Sequence, residues 1–401
     1  MVKTKGNYCR VCNAWSVECI LDVGEQPVSN RFVKDTSLIE YTHSMSIGQC
    51  TACGLLQIIN PVPTTELLSP YSWITYNEPE GHLDAVTRII TNLPDITQDS
   101  FILGISFKED TTLQRLRNKG FKKLHRLDQE KDLGITTKNA GLETIQAKVN
   151  IELFSRLADK LGKVDVLVVR HILEHAADTK RFMAALLQMV KPTGYIIFEV
   201  PDFSNLLDCF DYSSLWEEHI LYFTPETFKN SLECSGFSIF NFEVYPYPTE
   251  NSLVAIVQPD LSLKGAVPAK DVLLEEHQKA ANYANNFPTK HTAITSYLAE
   301  FKKNHGKIAM FGAGHIACMH INLMGLKDMI EFVIDDDPNK KGLFMPGSLL
   351  PIYGSEKLIQ ENIKLCLTSL SPESEEKVIK KNQAFIKQGG VFSSIVSNFS
   401  T

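Results

Sequence analysis

The sequence lacks three features that would mark a membrane, nucleic-acid-binding or disordered protein. No apolar run approaches the ~18 residues that a membrane helix requires. No block of lysine and arginine locally reverses the formal net charge of -7, so attraction to a phosphate backbone is weak. With 44% hydrophobic and 22% charged residues, the composition is that of a folded chain. We therefore expect a soluble, cytoplasmic protein without a nucleic-acid or membrane partner.

A disulfide framework is not expected either. Of nine cysteines, five are scattered, and this odd remainder fits a reducing compartment. The other four form two Cys-x-x-Cys pairs, Cys9 with Cys12 and Cys50 with Cys53. Two intervening residues let both thiolates of a pair point at one ion, and two pairs complete a closed tetrahedral site. The spacing predicts a structural zinc ribbon, whereas free cysteines or a redox Cys-x-x-Cys would leave the second pair unexplained.

Beyond the cysteines, short apolar strands alternate with helical patterns. This alternation is typical of βαβ units and predicts an α/β fold with a mostly parallel sheet. The predicted strands are Phe101–Ile105, Lys123–Asp128, Val164–Val169 and Gly194–Val200, with helices at Thr112–Lys119 and Asp178–Met189. Ligands on such sheets bind at the carboxyl ends of the strands.

Three short segments lie at the ends of these elements. Residues 170–175 read RHILEH, residues 191–194 read KPTG, and residues 215–224 read LWEEHILYFT. In this order, and with the cysteine pairs before them, the whole chain resembles the sugar-nucleotide C-methyltransferases of deoxysugar biosynthesis. The resemblance implies a class I, Rossmann-like methyltransferase domain between a small zinc ribbon and a C-terminal Rossmann-like α/β domain.

The resemblance implies methyl transfer from S-adenosylmethionine to a carbon next to a ketone on a nucleotide-linked sugar. Such a carbon acid needs a base with a pKa near neutrality and donors for the enolate oxygen. By position in the matching blocks, His219 is the candidate base, Glu218 orients it or binds substrate, and His175 lines the same pocket. Tyr222 is a further catalytic candidate. Each histidine could instead be a hydrogen-bonded structural residue at a strand-to-helix turn.

The resemblance also places the cofactor at the ends of the first strands. The expected contacts are Gly104, Ser106, Glu109, Asp128, Arg170 and His171. Asp128 ends the second strand and is of the type that accepts from ribose hydroxyls. Acidic and bulky residues stand in this loop where the family usually has glycines, which let the backbone approach the cofactor. A chain that binds a sugar nucleotide without turnover is therefore one alternative.

Acceptor contacts are expected from residues around the histidines and from an aromatic loop at 71–82, which could also be a linker. The candidates are Tyr71, Tyr76, Trp216, Asn251 and His315. Trp216 stands where the family commonly has tyrosine, and residues 247–252 replace a His-Gly-Gly-Ser segment. These departures leave room for an acceptor other than the usual keto-deoxysugar.

The C-terminal part begins with helices predicted near 268–303. A strand and a glycine turn with Gly312 and Gly314 follow, and a second strand ends in acids about 20 residues later. This is the pattern of a Rossmann-like nucleotide half. Ala317 replaces the third glycine, so an NAD-dependent oxidoreductase is a second alternative with an incomplete fingerprint.

Several domains are expected, because 401 residues exceed the roughly 100 to 200 residues of one ordinary domain. We predict a zinc-binding domain at 1–70, a methyltransferase domain at 71–260 and a Rossmann-like domain at 261–401 that helps to enclose the substrate. Residues 397–401 are expected to form a frayed tail.

Overall fold

The computed structural model describes residues 7–74, 78–248 and 250–395, and it contains three sheets. The strands are β1 (Val17–Pro27), β2 (Thr42–Cys50), β3 (Leu56–Ile58), β4 (Phe101–Gly104), β5 (Lys123–Arg126), β6 (Val164–Arg170), β7 (Val190–Asp202), β8 (Leu221–Tyr222), β9 (Phe237–Tyr245), β10 (Asn251–Pro259), β11 (Ile308–Phe311), β12 (Ile330–Ile334), β13 (Ile352–Tyr353), β14 (Leu365–Thr368) and β15 (Val391–Ser394). The helices are α1 (Thr64–Leu67), α2 (Leu83–Thr91), α3 (Asp110–Asn118), α4 (Leu142–Lys148), α5 (Ile151–Leu161), α6 (Thr179–Met189), α7 (Ser204–Cys209), α8 (Pro225–Cys234), α9 (Lys270–Asn304), α10 (His315–Leu323), α11 (Lys357–Gln360), α12 (Pro372–Lys381) and α13 (Gln383–Lys387). The predicted tail at 397–401 lies outside the described residues.

The first sheet is antiparallel and has the order β1-β2-β3-β8. Its last strand comes from the middle of the chain, because Leu56 pairs with Tyr222 and Gln57 with Leu221. The segment that carries the predicted base is therefore joined by backbone hydrogen bonds to the cysteine-bearing part. A further backbone bond runs from the Ile58 N–H to the Ile220 carbonyl at 2.9 Å.

The central sheet has the order β5-β4-β6-β7-β10-β9, with the first four strands parallel and the last two antiparallel. Both faces are covered: Val166 and Val168 pack with α2 and α3, while Leu167 and Val169 pack on the side of α5 and α6. Side chains alternate between the faces of a strand, so a strand buried on both faces reads as one continuous apolar run. This explains why the sequence pattern located β6.

Strand β7 begins at Val190, four residues before the predicted start at Gly194. A Cβ at Gly194 would lie 2.9 Å from the Asp165 carbonyl oxygen and 3.1 Å from that of Val164. Glycine is therefore needed because the backbone of β6 passes close to this position. The glycine lies within the strand rather than at its beginning.

The C-terminal sheet, β13-β12-β11-β14-β15, is parallel throughout. One helix of 35 residues, α9, leads into it where several helices were predicted, and it continues through Pro288. Its side chains Ala280, Tyr283, Ile294 and Leu298 are buried in a cluster that also includes residues of β1, β2 and β11. Packing along its length holds this helix together despite the proline. Among the described residues, no helix has the length and apolarity needed to cross a bilayer.

Candidate functional site

The four paired cysteines converge at the base of the first sheet. The Sγ atoms of Cys9 and Cys53 are 3.6 Å apart, as are those of Cys12 and Cys50, and all four lie within 4.8 Å of one another. Sulfur atoms around a tetrahedral zinc at about 2.3 Å are separated by about 3.8 Å, so the cluster has the right size. Four thiolates leave no open position, and the ion would stabilise the fold without taking part in catalysis.

The predicted cofactor loop follows β4 and is held from within by Glu109. This carboxylate is fully buried and accepts from the Ser106 N–H and hydroxyl on one oxygen and from the Arg170 N–H on the other, at 2.8 Å. A Cβ at Gly104 would come within 2.7 Å of the Glu109 Cβ, so glycine leaves room for this side chain. We propose that Glu109 supports the loop rather than contacting the cofactor directly.

Asp128 lies just beyond β5 and is partly exposed. Its Oδ1 accepts from the N–H groups of Glu130 at 3.0 Å and Lys131 at 2.8 Å. These bonds fix the carboxylate at the edge of the sheet where nucleotide ribose groups bind in open α/β folds. The loop at Gly104 and Ser106 together with Asp128 fits S-adenosylmethionine, with Asp128 as the group that would hold its ribose.

Arg170 and His171, at the carboxyl end of β6, meet Glu199 of β7. The Arg170 guanidinium pairs with the Glu199 carboxylate, and His171 Nε2 lies 3.1 Å from Glu199 Oε1. His82 and Ser252 approach the same oxygen, both at 2.8 Å. Burial lowers the pKa of His171, but Glu199 and Glu174 outweigh it and raise the pKa to about 10. Because these buried charges pair with one another, we propose that Arg170 and His171 hold the strand ends in place rather than contact the cofactor.

The backbone at His171 has a φ of +50°, which side-chain-bearing residues adopt rarely. Such a conformation costs of order 1–3 kcal/mol and persists where surrounding contacts enforce it. Here the His171 N–H donates to the Glu199 carbonyl at 2.9 Å and the ring bonds the Glu199 carboxylate. This turn places Glu174 and His175 next to the segment that contains His219.

The histidine cluster consists of His175, Trp216, His219 and His315. The rings of His175 and His219 have centroids 5.0 Å apart, and those of Trp216 and His219 are 4.7 Å apart. His315 begins α10 and stacks on Trp216 at 4.3 Å and 16°. The cluster thus joins the central and C-terminal sheets, and the structure brings together His219, His175, Trp216 and His315 as predicted site residues.

Glu218 and Tyr222 lie behind this cluster. Glu218 is buried and accepts from the Asn30 side chain at 3.0 Å, and burial followed by Glu143 and Glu217 raises its pKa well above the ordinary value. The Tyr222 hydroxyl accepts from the Trp216 N–H at 3.0 Å and donates to the Trp216 carbonyl at 3.1 Å. We propose that both residues position the turn that carries His219.

The remaining acceptor candidates are spread out. The Tyr71 hydroxyl donates to the Phe32 carbonyl at 2.8 Å, and its ring packs on Trp73. Asn251 begins β10 and donates to Asp202 Oδ2 at 3.0 Å. Tyr76 lies outside the described residues. Tyr71 therefore belongs to an aromatic group of the N-terminal part, and Asn251 to the edge of the central sheet.

Several residues of this region were missed from the sequence. Glu174 repeats the Glu-His pair found at Glu218, which was an available signal. Glu199 is a lone acid within an apolar strand, which also could have been noticed. Ser29 gave no signal: its N–H and hydroxyl donate to Glu217, and its hydroxyl accepts from the Trp216 indole at 3.1 Å. Local patterns do not show such contacts between distant segments.

Removing the Tyr222 hydroxyl should loosen the turn. In Tyr222→Phe the buried Trp216 N–H loses its side-chain acceptor, so we expect the free energy of unfolding to fall by about 1–3 kcal/mol. Urea denaturation measures this change. Tyr353→Phe, at an exposed tyrosine of β13, is the matched control. Equal stability of Tyr222→Phe and wild type would show that the hydroxyl does not support the turn.

Glu109 should make stability depend on pH. Burial raises its pKa to about 7, against the opposing effect of the Arg170 and Ser106 N–H groups. An unfolded glutamate ionises near pH 4.3, so the folded chain holds the proton more tightly between these values. The contribution to stability is present below about pH 4.3 and is lost as pH rises to about 7.

Urea denaturation across this pH range should show the loss in wild type. In Glu109→Gln the same window should be flatter, because the group that titrates is gone. Glu152→Gln, at a surface carboxylate of α5, should keep the wild-type slope. Identical pH dependence in Glu109→Gln and wild type would rule out this role.

Three family models match the chain in succession. A zinc binding domain matches residues 9–67, a methyltransferase domain residues 113–241, and a C-methyltransferase C-terminal domain residues 269–396. The four cysteines fall within or next to the first match, and β6 with its histidines falls within the second. The Glu-His pair at 218–219 also lies in the second match.

The C-methyltransferase NovU of Streptomyces niveus is 20% identical over 400 residues, covering 96% of this chain and 94% of the relative. Among solved structures, the 1,6-didemethyltoxoflavin-N1-methyltransferase of Burkholderia thailandensis is 11% identical with a TM-score of 0.31, over 45% of this chain and 79% of that one. CalO1, a methyltransferase in calicheamicin biosynthesis, is 15% identical with a TM-score of 0.29, over 44% and 54%.

The mostly parallel central sheet with helices on both faces agrees with the predicted class I methyltransferase fold, and the four-cysteine cluster agrees with the match to a zinc binding domain. An NAD-dependent enzyme would use Asp335, at the end of β12, to bind the ribose of its cofactor. Here Asp335 Oδ2 already accepts from the Ala313 N–H at 3.0 Å and from Lys340 at 2.8 Å, which argues against that alternative. With these three domain types in order along one chain, the protein is an S-adenosylmethionine-dependent methyltransferase that carries a zinc-binding domain before its methyltransferase domain and a C-methyltransferase C-terminal domain after it.

Proposed function

We propose that the chain methylates a carbon next to the ketone of a nucleotide-linked sugar, with His219 as the base. The observation that carries the proposal is the placement of His219. Its imidazole is half-buried and so reachable from solvent, while the rings of His175 and Trp216 contact it and His315 stacks on the Trp216 ring. A proton acceptor beside the carboxyl ends of the parallel strands is well placed to take a proton from a bound carbon acid.

The charge state of His219 permits this role, although its pKa lies below the near-neutral value that we expected for the base. Burial, followed by the influence of the neighbouring imidazoles of His175 and His315, lowers the pKa of His219 well below its ordinary value. The imidazole is therefore neutral at physiological pH and has a lone pair available. His315 behaves alike, since burial lowers its pKa to about 4. Neutral rings also avoid repelling a cationic methyl donor.

The reaction then has two bond changes. His219 takes the proton from the carbon next to the ketone, and the C–H electron pair becomes that of an enolate. S-adenosylmethionine, held at the Gly104–Ser106 loop and Asp128, would supply the methyl group from its sulfonium to the enolate carbon and leave as S-adenosylhomocysteine. The chain contributes alignment of the acceptor carbon and exclusion of water at this step.

The acceptor would lie between the central and C-terminal sheets. Trp216 and His315 form a stacked pair there, and a flat ring pair of this kind packs well against a sugar or base. The domain division at 1–70, 71–260 and 261–401 places one partner of the pair in each of the last two domains. We propose that the third domain helps to enclose the substrate, and the scattered unpaired cysteines support a cytoplasmic location.

The test combines binding with exchange. Calorimetric titration with S-adenosylmethionine should show one site per chain, and a radiolabelled methyl group should appear on a nucleotide-linked 4-keto-6-deoxysugar. With S-adenosylhomocysteine in place of the donor, the acceptor should exchange its α-proton for deuterium from the solvent. Cofactor binding without exchange or transfer on any nucleotide-linked ketosugar would overturn the proposed acceptor class.

A further inference from the structure

The Glu174 carboxylate is buried without a matching set of donors. It is 1% exposed, and neither oxygen has a hydrogen-bond partner among the described residues. His171 Nδ1 lies 3.5 Å from Oε1, a long contact, and the other nitrogen of that ring is bonded to Glu199. Burying a carboxylate without close partners is costly, so a buried pair of free oxygens points to a ligand.

Two imidazoles face the same point. His175 is 3% exposed, and its Nδ1 also has no partner among the described residues. One donor atom each from Glu174, His175 and His219 lie within 4.8 Å of one another. Glu174 and His175 come from the turn after β6, whereas His219 comes from the segment before β8, so two separate segments supply the group.

We infer that Glu174, His175 and His219 form a second metal site, which takes an exchangeable divalent ion of the zinc class. Two imidazole nitrogens and one carboxylate oxygen are donors that zinc binds at about 2.0–2.2 Å, which places donors about 3.4 Å apart around a tetrahedral ion. The half-buried His219 can close the remaining distance by a side-chain rotation. Three protein ligands leave one position for water or a substrate oxygen.

The donor set separates this site from the four-cysteine site. Thiolates hold zinc in a closed site, whereas two nitrogens and an oxygen with one open position hold it less tightly and let it exchange. Mg²⁺ and Ca²⁺ prefer sites made of oxygen ligands alone, so they should not compete. Glu174 would gain a close positive partner in addition to the long contact with His171, which lowers the cost of its burial.

Occupancy has a consequence that rests on the proposed function. The ion and the proton of the acceptor compete for the same lone pair of His219. A zinc ion in this site therefore stops the proposed proton transfer, and the metal acts as a reversible inhibitor. Lowering the pH weakens binding as well, because imidazole must be neutral to ligate a metal.

The test uses full-length protein that carries one tightly held zinc per chain. Calorimetric titration with ZnCl₂ should show a second equivalent, and metal analysis after exchange into EDTA-free buffer should find two ions per chain. Glu174→Gln and His219→Gln should weaken the second equivalent by at least tenfold and keep the first. Glu152→Gln, which alters an exposed carboxylate, should bind both.

The second variant is needed because Glu174→Gln changes a buried residue and could fail to fold. His219→Gln changes a partly exposed side chain and keeps the test valid in that case. A single zinc per wild-type chain at saturating ZnCl₂, or an unchanged second equivalent in His219→Gln, would overturn the site.

In the methyl-transfer assay, ZnCl₂ that fills the second site should lower turnover at least tenfold, and EDTA should restore it. Turnover that persists with the site filled would refute the inhibition. A wild-type chain with no transfer at all would fail the proposed function, while the binding titration would still decide the metal site.

Discussion

Replacing Cys53 by serine is expected to release the structural zinc and unfold the N-terminal part of the chain. Cys53 is 3% exposed and lies 3.6 Å from Cys9, so its loss breaks a closed four-thiolate site. A small zinc domain has little apolar core of its own, and zinc binding supplies much of its folding free energy, about 10–16 kcal/mol in zinc-finger peptides. Metal analysis should fall from one ion per chain toward none.

The matched control is Cys19→Ser, which changes an exposed cysteine of β1 outside the cluster. This variant should keep its zinc and its melting temperature. Limited trypsin digestion should cut Cys53→Ser within residues 7–67 and leave Cys19→Ser intact there. Stoichiometric zinc and an intact N-terminal part in Cys53→Ser would show that the four cysteines do not form the metal site.

Loss of zinc should also disturb the structure of the methyltransferase site. Strand β8 pairs with β3, and Ser29 and Asn30 donate to Glu217 and Glu218 beside the predicted base. These contacts are buried, so an unfolded zinc domain removes them and exposes the turn that carries His219. We therefore expect the zinc domain to support the reaction by holding this turn in place. The zinc ion itself, bound by four thiolates, has no open position at which a substrate could bind.

Features encoded by short-range patterns could be predicted from the sequence. The cysteine spacing identified the zinc ligands, and continuous apolar runs identified the parallel strands, because a two-sided burial leaves a local signature. The Glu-His segments predicted His219 and His175 as site residues through a resemblance to a family, and the structure brings their rings together. In each case a few neighbouring residues carried the information.

Features that depend on distant segments could not be predicted. The pairing of β8 with β3 joins residues 56–57 to 221–222, and two-residue strands have no recognisable pattern. In the sequence, Glu109 is an unexpected acid in a loop where glycines are usual. In the structure its carboxylate accepts from two N–H groups, one from β6 and one from the loop itself. Burial and long-range partners, rather than residue type, decide what such a side chain does.

Replacing His219 by alanine should lower kcat by about 10²–10⁴-fold, the usual contribution of general acid–base catalysis. The KM for the acceptor should change little, because Trp216 and His315 still stack on each other. The exchange of the acceptor α-proton into deuterated water should fall by the same factor, since the lost step is proton abstraction. Added imidazole should restore part of the rate by filling the space of the missing ring.

The pH profile of wild type separates a base from a structural histidine. Because burial holds the pKa of His219 well below its ordinary value, kcat/KM should rise with pH only at acidic values and be level around pH 7. His305→Ala, which changes an exposed histidine at the end of α9, should keep the wild-type rate and profile. A His219→Ala variant within threefold of wild type in both transfer and proton exchange would assign the base to another residue of the cluster, with His175 as the next to replace.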